Sequence, residues 1–502
     1  MRATQQKTRN VRRLRANRDA KDLQAQWAAA TFVIGTEGSA EFSVPRKFGT
    51  GVANWSRLGR SLLGICCGVL RQALAAKLLV RDMHASSRLE RRSFVSNNPR
   101  YRESKNLLER ALRVIPGGHH LSGRPLLPPG EAPHYMTRGK GSHCWDVDGN
   151  EYIDYVCAFG PFLLGYAHPV IDAAAWEQLQ RGHLLPLNHP MHIEFAERLV
   201  ARFPGAEMAT FFKTGSEATT AALRIARAAT GRRRVVRCGY HGWHDWCLPL
   251  ERFVPAGLDE QVPEIDVRDP ESLSKILALH AGEVAAVIVA PEMILPTNAA
   301  VFRALMAETH RHGAVFILDE VKTALRIKPG SFQEYVGIVP DLTTLSKALG
   351  NGWPIAAVVG KRDVMQHAAG MHLSATFHGD TAAMAAAMAM LNFVDTHDVA
   401  EHVWNLGERL ISGLNELAQR HEVPAVAFGE PLPPMPFLKF KAEPPDLNSA
   451  LISTFYGEVL AQGILLHPRH LWFISYAHTA EEIDRTLHVA DGAFAAAAKH
   501  LR

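Results

Sequence analysis

The sequence predicts an α/β protein: a large domain with a mostly parallel sheet between helices, plus a smaller α/β domain at the C-terminal end. Three observations predict it. Continuous apolar runs such as Val284–Ala290 and Ala314–Leu318 suit strands buried on both faces. Helical periodicity separates those runs, which is how parallel strands are connected. After the proline-rich stretch Pro424–Pro436 the alternation restarts on a shorter scale. Ligands on such sheets bind beyond the carboxyl ends of the strands, so residues just after each run are candidates for chemistry.

Size and composition set the outer limits. A chain of 502 residues can bury a large core and holds more than one domain. With 47% hydrophobic and 21% charged residues it has the composition of a soluble globular protein. The net charge of +5 is small for this length, and much of it comes from the first hundred residues. It gives no argument for nucleic acid as a partner. The six cysteines, Cys66, Cys67, Cys144, Cys157, Cys238 and Cys247, form no CxxC pair and no zinc-ligand spacing. Free thiols in a reducing cytoplasm are the default for such a set. There are 25 histidines but no HExxH, so no metal site is expected.

Residues 1–82 differ from the rest. Arg2, Lys7, Arg9, Arg12, Arg13, Arg15, Arg18 and Lys21 make a basic start with no signal-peptide core behind it. Ser61–Leu70 is apolar but too short to span a bilayer, so no membrane partner is expected. Three readings compete: a regulatory or targeting extension, an extra helical decoration, or upstream sequence read from too early a start. The last is preferred, with Met83 as the start, because everything after it fits one plan.

From Asn98 the elements follow in order. Ser104–Val114 has its leucines on one helical face, and Ile115-Pro-Gly-Gly118 stops it. His143–Asp154 alternates around Asp148-Gly149-Asn150 and reads as a β-hairpin. Helices are expected at 193–203, 217–230, 271–281 and 301–312, with strands at 209–213, 234–238, 284–290, 314–319 and 355–359. Further helices are expected at 382–394 and 399–421. The C-terminal part should hold strands at 437–440, 463–466 and 471–475, a helix near 448–462 and a closing helix at 480–501. The boundaries expected are 83–164 for an N-terminal segment with the hairpin, 165–390 for the large domain and 391–502 for the small one.

Four places carry candidate chemistry. Thr214-Gly215-Ser216 lies between a strand and a helix start, where free N–H groups and the helix dipole favour a phosphate. Ser216 could equally be a plain N-cap. Tyr240 follows the strand at 234–238 and could stack on a flat ring, or be only a half-buried tyrosine. Asp319 ends an apolar strand, so its carboxylate needs a partner. A pyridinium N–H would serve; an ordinary cap or salt bridge is the commoner fate. Val321 could support the face of such a ring or be plain core. Lys347 sits in the turn-rich stretch Pro340–Pro354 before the strand at 355–359. Burial there favours the neutral amine, a nucleophile able to form a Schiff base with an aldehyde cofactor. Each signal is weak alone, but their order along the chain describes a pyridoxal phosphate site.

Residues from about Asn98 onward resemble the class III aminotransferases, and most closely their glutamate-1-semialdehyde aminomutase branch. The matching stretches are Trp145–Asn150, Tyr152–Val156, Gly165–Pro169, Thr214–Ala218, Tyr240–Gly242, Leu318–Val321 and Pro340–Lys347. The resemblance implies the fold type I of pyridoxal 5'-phosphate enzymes and a homodimer with sites at the subunit interface. It implies Lys347 as Schiff-base lysine and proton shuttle, Asp319 on the pyridine nitrogen and Val321 beneath the ring. It implies Thr214, Gly215 and Ser216 around the phosphate, Tyr240 stacked on the ring, and Thr376 reaching the neighbouring subunit's phosphate. Arg124 aligns with an arginine that takes a substrate carboxylate, and Phe159 stands at a substrate position.

The departures fall around the substrate. Phe159 replaces a tryptophan, and Ala290-Pro291 replaces Glu-Pro with Glu292 one step beyond. Gly379-Asp380-Thr381 replaces Gly-Asn-Pro, and Pro468–Ser475 lacks an expected acidic residue. The leading expectation is therefore an aminotransferase that acts on a small-molecule amino donor and oxo acceptor. The alternatives are the aminomutase or a related amino shift, and a non-catalytic binding protein on the same fold.

Overall fold

The structure, a computed structural model, describes residues 99–502 apart from 121–131, 249–253, 256, 267–268, 270, 294–298, 329 and 430–431. The extension 1–82, with Ser61–Leu70, Met83, Cys66 and Cys67, lies outside the described residues, and so does Arg124. The described strands are β1 (Met136–Lys140), β2 (His143–Asp146), β3 (Glu151–Asp154), β4 (Met208–Phe212), β5 (Arg234–Cys238), β6 (Val284–Val289), β7 (Val315–Asp319), β8 (Leu342–Leu345), β9 (Ala356–Gly360), β10 (Ala425–Phe428), β11 (Phe437–Phe440) and β12 (Ile464–Leu465).

The central sheet has the order β4-β9-β8-β7-β6-β5. β5, β6, β7 and β8 are parallel neighbours. β9 is antiparallel to both β8 and β4, so β4 runs with the other four. A parallel neighbour needs a crossover of a dozen or more residues. The connection Ser346–Ile355 is too short for one, and β9 turns back beside β8. The expected mostly parallel sheet is there, with this one strand reversed. All six residues of β6 and all five of β7 are buried, as strands covered on both faces require.

The helix Gly215–Thr230 lies against β6, β8 and β9. It buries Ala218, Ala221, Ala222 and Ala226, whose small side chains let its axis come close to the sheet. It starts with a capping box, in which the Thr214 side chain accepts from the Glu217 N–H and Glu217 accepts from the Thr214 N–H. Gly231, at φ 68°, ends it.

Two smaller sheets flank this one in sequence. β1, β2, β3 and β12 form one sheet, in which β12 runs parallel to β3 and ties the C-terminal segment to the hairpin. The Asp146 carboxylate accepts from the backbone of Asp148 and Asn150 and from the Tyr152 hydroxyl, which fixes the hairpin turn. β10 and β11 form a two-stranded antiparallel pair.

Three expectations change. Leu471–Ser475, buried from Trp472 onward, is no strand. The N–H groups of Trp472 and Ile474 donate to Pro436 and Pro434, while that of Phe473 donates to Tyr155, so no single ladder forms. β10 lies inside Pro424–Pro436, ahead of most of the prolines. The stretch before Lys347 contains β8, two threonines between two leucines, and all four residues are buried.

Asn351 joins the turn after β8 to the segment before the helix Pro169–Gln180. Its Oδ1 accepts from the Leu164 N–H at 2.8 Å and its Nδ2 donates to the Gly165 carbonyl at 3.1 Å. Its own φ is 44°, in the left-handed region. Asn351→Ala should lower stability by roughly 2–4 kcal/mol, the loss of two buried hydrogen bonds plus the left-handed penalty. Asn351→Gly should lose less, because glycine tolerates that φ. Urea denaturation of both variants checks this; equal losses would remove the backbone contribution.

Candidate active site

Five strands of the central sheet end on the same edge, and a cavity of about 140 Å³ opens there. It is lined by Gly215 and Ser216 after β4, Tyr240, His241 and Gly242 after β5, Glu292 after β6, Asp319, Val321 and Lys322 at and after β7, and Ser346 and Lys347 after β8.

The helix Gly215–Thr230 points its N-terminus into this cavity. The Thr214 hydroxyl is spent in the cap, so Ser216 is not the N-cap. Ser216 Oγ instead lies 3.4 Å from the Trp243 N–H. A Cβ on Gly215 would come within 2.8 Å of Val321 Cγ1, and one on Gly242 within 2.2 Å of Ser216 Oγ. Glycine at both positions keeps the helix start open to an anion.

Asp319 is buried at the end of β7. Burial alone would raise its pKa, but its partners outweigh that and hold it below the usual carboxylate range. His241 Nδ1 lies 2.7 Å from Oδ2, and the Val321 N–H and Thr344 hydroxyl donate to Oδ1. An ionised carboxylate thus stands in the cavity wall. His241 is itself buried, stacked on Trp246 with ring centroids 5.9 Å apart.

Lys347 follows β8 at φ 49°. Burial, and then the neighbouring Lys322 ammonium, pull its pKa down to about 8. Lys322 is buried too. Burial alone would lower its pKa, but Glu292, whose Oε1 lies 2.6 Å from Nζ, raises it and keeps the ammonium charged.

The cavity therefore brings together Gly215, Ser216, Tyr240, Asp319, Val321 and Lys347. Tyr240 is 48% exposed at the rim, with the Lys322 ammonium 5.4 Å from its ring centroid. Thr214 and Phe159 do not line it. Phe159 faces His467 and His470 edge-on. Thr376 is exposed on a turn that is held to the helix start through Asp380 and Lys213, 2.7 Å apart. Sequence reasoning did not find His241 or Lys322. Each follows a residue it did find, but the direction of a side chain after a strand end is not written in the sequence. Among the described residues, no group of three or more His, Cys, Asp or Glu is placed to hold a metal ion.

A buried amine, an ionised carboxylate and an anion cradle on one sheet edge define a pyridoxal phosphate type of transferase. The aminotransferase class-III family matches residues 128–427, and the chain belongs to that family. It is 34% identical to the 3-aminobutyryl-CoA aminotransferase of Cloacimonas acidaminovorans, covering 76% of this chain and 94% of the relative. It is 36% identical to the glutamate-1-semialdehyde 2,1-aminomutase of Archaeoglobus fulgidus, covering 77% and 97%. Among solved structures it is similar to the FumI protein of Sphingopyxis sp. MTA144 in a PLP form, with a TM-score of 0.74, 33% identity, and 78% and 96% of the two chains covered.

The residues present fit that cofactor. A Cβ on Gly215 or Gly242 would press on Val321 or Ser216 in the wall, so glycine at both positions keeps the helix start and Ser216 Oγ in place for a phosphate. Asp319 offers a charged acceptor for a pyridinium N–H, and Lys347 offers an amine for an aldehyde. The neutral amine is the form above the pKa, so capture of the cofactor by apoenzyme should speed up as pH rises through about 8 and level off beyond it. An unperturbed lysine would keep gaining until about pH 10.4. Stopped-flow absorbance during reconstitution checks this; a rate still climbing steeply at pH 10 would refute the depressed value.

Proposed function

We propose that the chain is an aminotransferase that passes an amino group from an amino acid donor to an oxo acceptor, with pyridoxal 5'-phosphate as its cofactor. The observation that carries the reading is one cavity in which the Lys347 amine and the ionised Asp319 carboxylate both take part. Bound pyridoxal phosphate supplies an aldehyde to take up the amino group and a ring to withdraw electrons from the substrate carbon. The chain's own residues do the rest. Asp319 holds a positive N–H opposite it and is fixed in place by His241 and Thr344. Gly215 and Ser216 bind phosphate oxygens at the helix start. Val321 and Tyr240 bound the two faces of the slot. Lys347 Nζ would hold the aldehyde covalently until a donor displaces it, and the freed amine would then take a proton from the substrate carbon and return one on the way back.

Identity with an aminomutase supports a second reading, an amino shift within one molecule. Holoenzyme mixed with a panel of amino acids should lose its aldehyde-form absorbance near the cofactor bands, and Lys347→Ala should slow that half-reaction by at least about a hundredfold. No spectral change with any donor, together with turnover of glutamate-1-semialdehyde, would establish the amino shift instead.

The proposed working unit is a cytoplasmic homodimer with interface active sites. Its domain divisions are 83–164, 165–390 and 391–502, behind the extension 1–82. The placement of β4 to β9 within 165–390 and of β10 and β11 within 391–502 supports that division. Thr376, exposed on its turn and outside the cavity of its own chain, is proposed to serve a partner's phosphate. Arg124 is proposed for a substrate carboxylate and Phe159 for the substrate wall. Among the described residues no helix is long and apolar enough to cross a membrane. Sedimentation at micromolar concentration should give twice the chain mass, and a monomer retaining full activity would rule out a shared site.

A further inference from the structure

A second charged pair stands in the wall that holds Lys347. Glu292, just after β6, and Lys322, just after β7, both line the cavity. Their side chains are 3% and 9% exposed, and Lys322 Nζ donates to Glu292 Oε1 at 2.6 Å. The pair is uneven. Glu292 Oε2 is shut off from solvent and has no hydrogen-bond partner among the described residues. An ammonium carries three donors, so Lys322 has more to give than the bond to Glu292 uses. A bare acceptor and spare donors therefore sit side by side, and their charges cancel.

That combination sorts ligands by chemistry. A second carboxylate on the substrate would be drawn to Lys322 but would meet the free oxygen of Glu292 at like charge. A second ammonium would meet the reverse conflict. A hydroxyl donates to Oε2 and accepts from Nζ at once, with no charge to desolvate. His470 does not disturb the balance. Its Nδ1 lies 2.7 Å from the Leu471 carbonyl oxygen, which can only accept, so Nδ1 carries the proton. Burial favours the neutral ring, and the ring is near enough to feel the charges of Lys322, Lys347 and Glu292.

We propose that Glu292 and Lys322 form the specificity subsite of this cavity and select an amino compound, with its oxo counterpart, that bears an uncharged hydroxyl near the reacting amine, against one that bears a second carboxylate. The proposal rests on the aminotransferase reading of the same cavity.

The test uses purified holoenzyme and four amino acid donors of matched side-chain length: homoserine, aspartate, 2,4-diaminobutyrate and norvaline. The half-reaction is followed by loss of the aldehyde-form absorbance. Homoserine should exceed each of the others by at least about tenfold in kcat/KM. Glu292→Gln removes the like charge that opposes a second carboxylate, so aspartate should overtake homoserine. The double variant Glu292→Leu with Lys322→Met leaves no unpaired charge to unfold the protein, and should bring homoserine and aspartate within about twofold. Equal rates for those two donors in the unaltered enzyme, or an unchanged ratio in both variants, would overturn the proposal. If no donor converts the holoenzyme, the aminotransferase reading fails by itself. Calorimetric binding of the same donors to Lys347→Ala still decides the subsite: tighter binding of homoserine than aspartate upholds it, and its absence overturns it.

Discussion

A carboxylate enclosed by a sheet stays charged only if its neighbours pay the desolvation, and the arrangement around Asp319 follows from that. Burial pushes its pKa upward, while His241, the Val321 N–H and the Thr344 hydroxyl together push it below the ordinary range. These partners come from the ends of β5, β7 and β8. Removing any one would leave a buried charge underpaired, which is costlier than the bond itself is worth. The three strand ends are thus locked in register by one side chain, and the same lock sets where Tyr240, Val321 and Lys347 stand. The anion cradle depends on it at one remove, because Gly215 rests on Val321.

Backbone strain gathers at the same edge. Lys347 and Asn351 are left-handed, and Cys157, Ala158 and Phe159 are three left-handed residues in succession before Gly160. Each non-glycine residue there costs about 1–3 kcal/mol and persists only where its surroundings leave no alternative. Those surroundings are visible. The Asp154 carboxylate accepts from the backbone of Val156 and Cys157 and from the Tyr166 hydroxyl, and Arg326 donates to the Gly160 carbonyl. In the turn after β8, Asn351 holds Leu164 and Gly165. The strained stretches are clamped from outside the sheet, whereas the sheet itself is relaxed and apolar.

Much of the fold was legible because its signals are local. β6 and β7 are apolar throughout, and the helix Gly215–Thr230 carries a capping box and a closing glycine in its own sequence. What stayed hidden depends on distant partners. Leu471–Ser475 has the composition of a strand, but its N–H groups are shared between two segments. The reversal of β9 depends on the shortness of a turn rather than on the residues of the strand. In Leu318-Asp-Glu-Val321 two acids stand together. Only the structure separates Asp319, which faces the cavity, from Glu320, whose carboxylate accepts from the N–H groups of Phe332 and Gln333. The cradle and the amine could be located from strand ends alone. The Glu292–Lys322 pair could not, because its halves lie thirty positions apart and meet through folding.

The way β5 to β8 deliver their chemistry has an evolutionary consequence. Asp319 is the last residue of β7 and Lys347 stands two residues past the end of β8, so both are placed by the ladder of the sheet. Glu292, Phe159 and His470 stand on connections and irregular segments that hold no strand in place. A lineage can exchange them one at a time without disturbing the register beneath. The molecule is thus divided into a conservative floor and replaceable walls, so new substrates can be explored at little risk to the reaction itself.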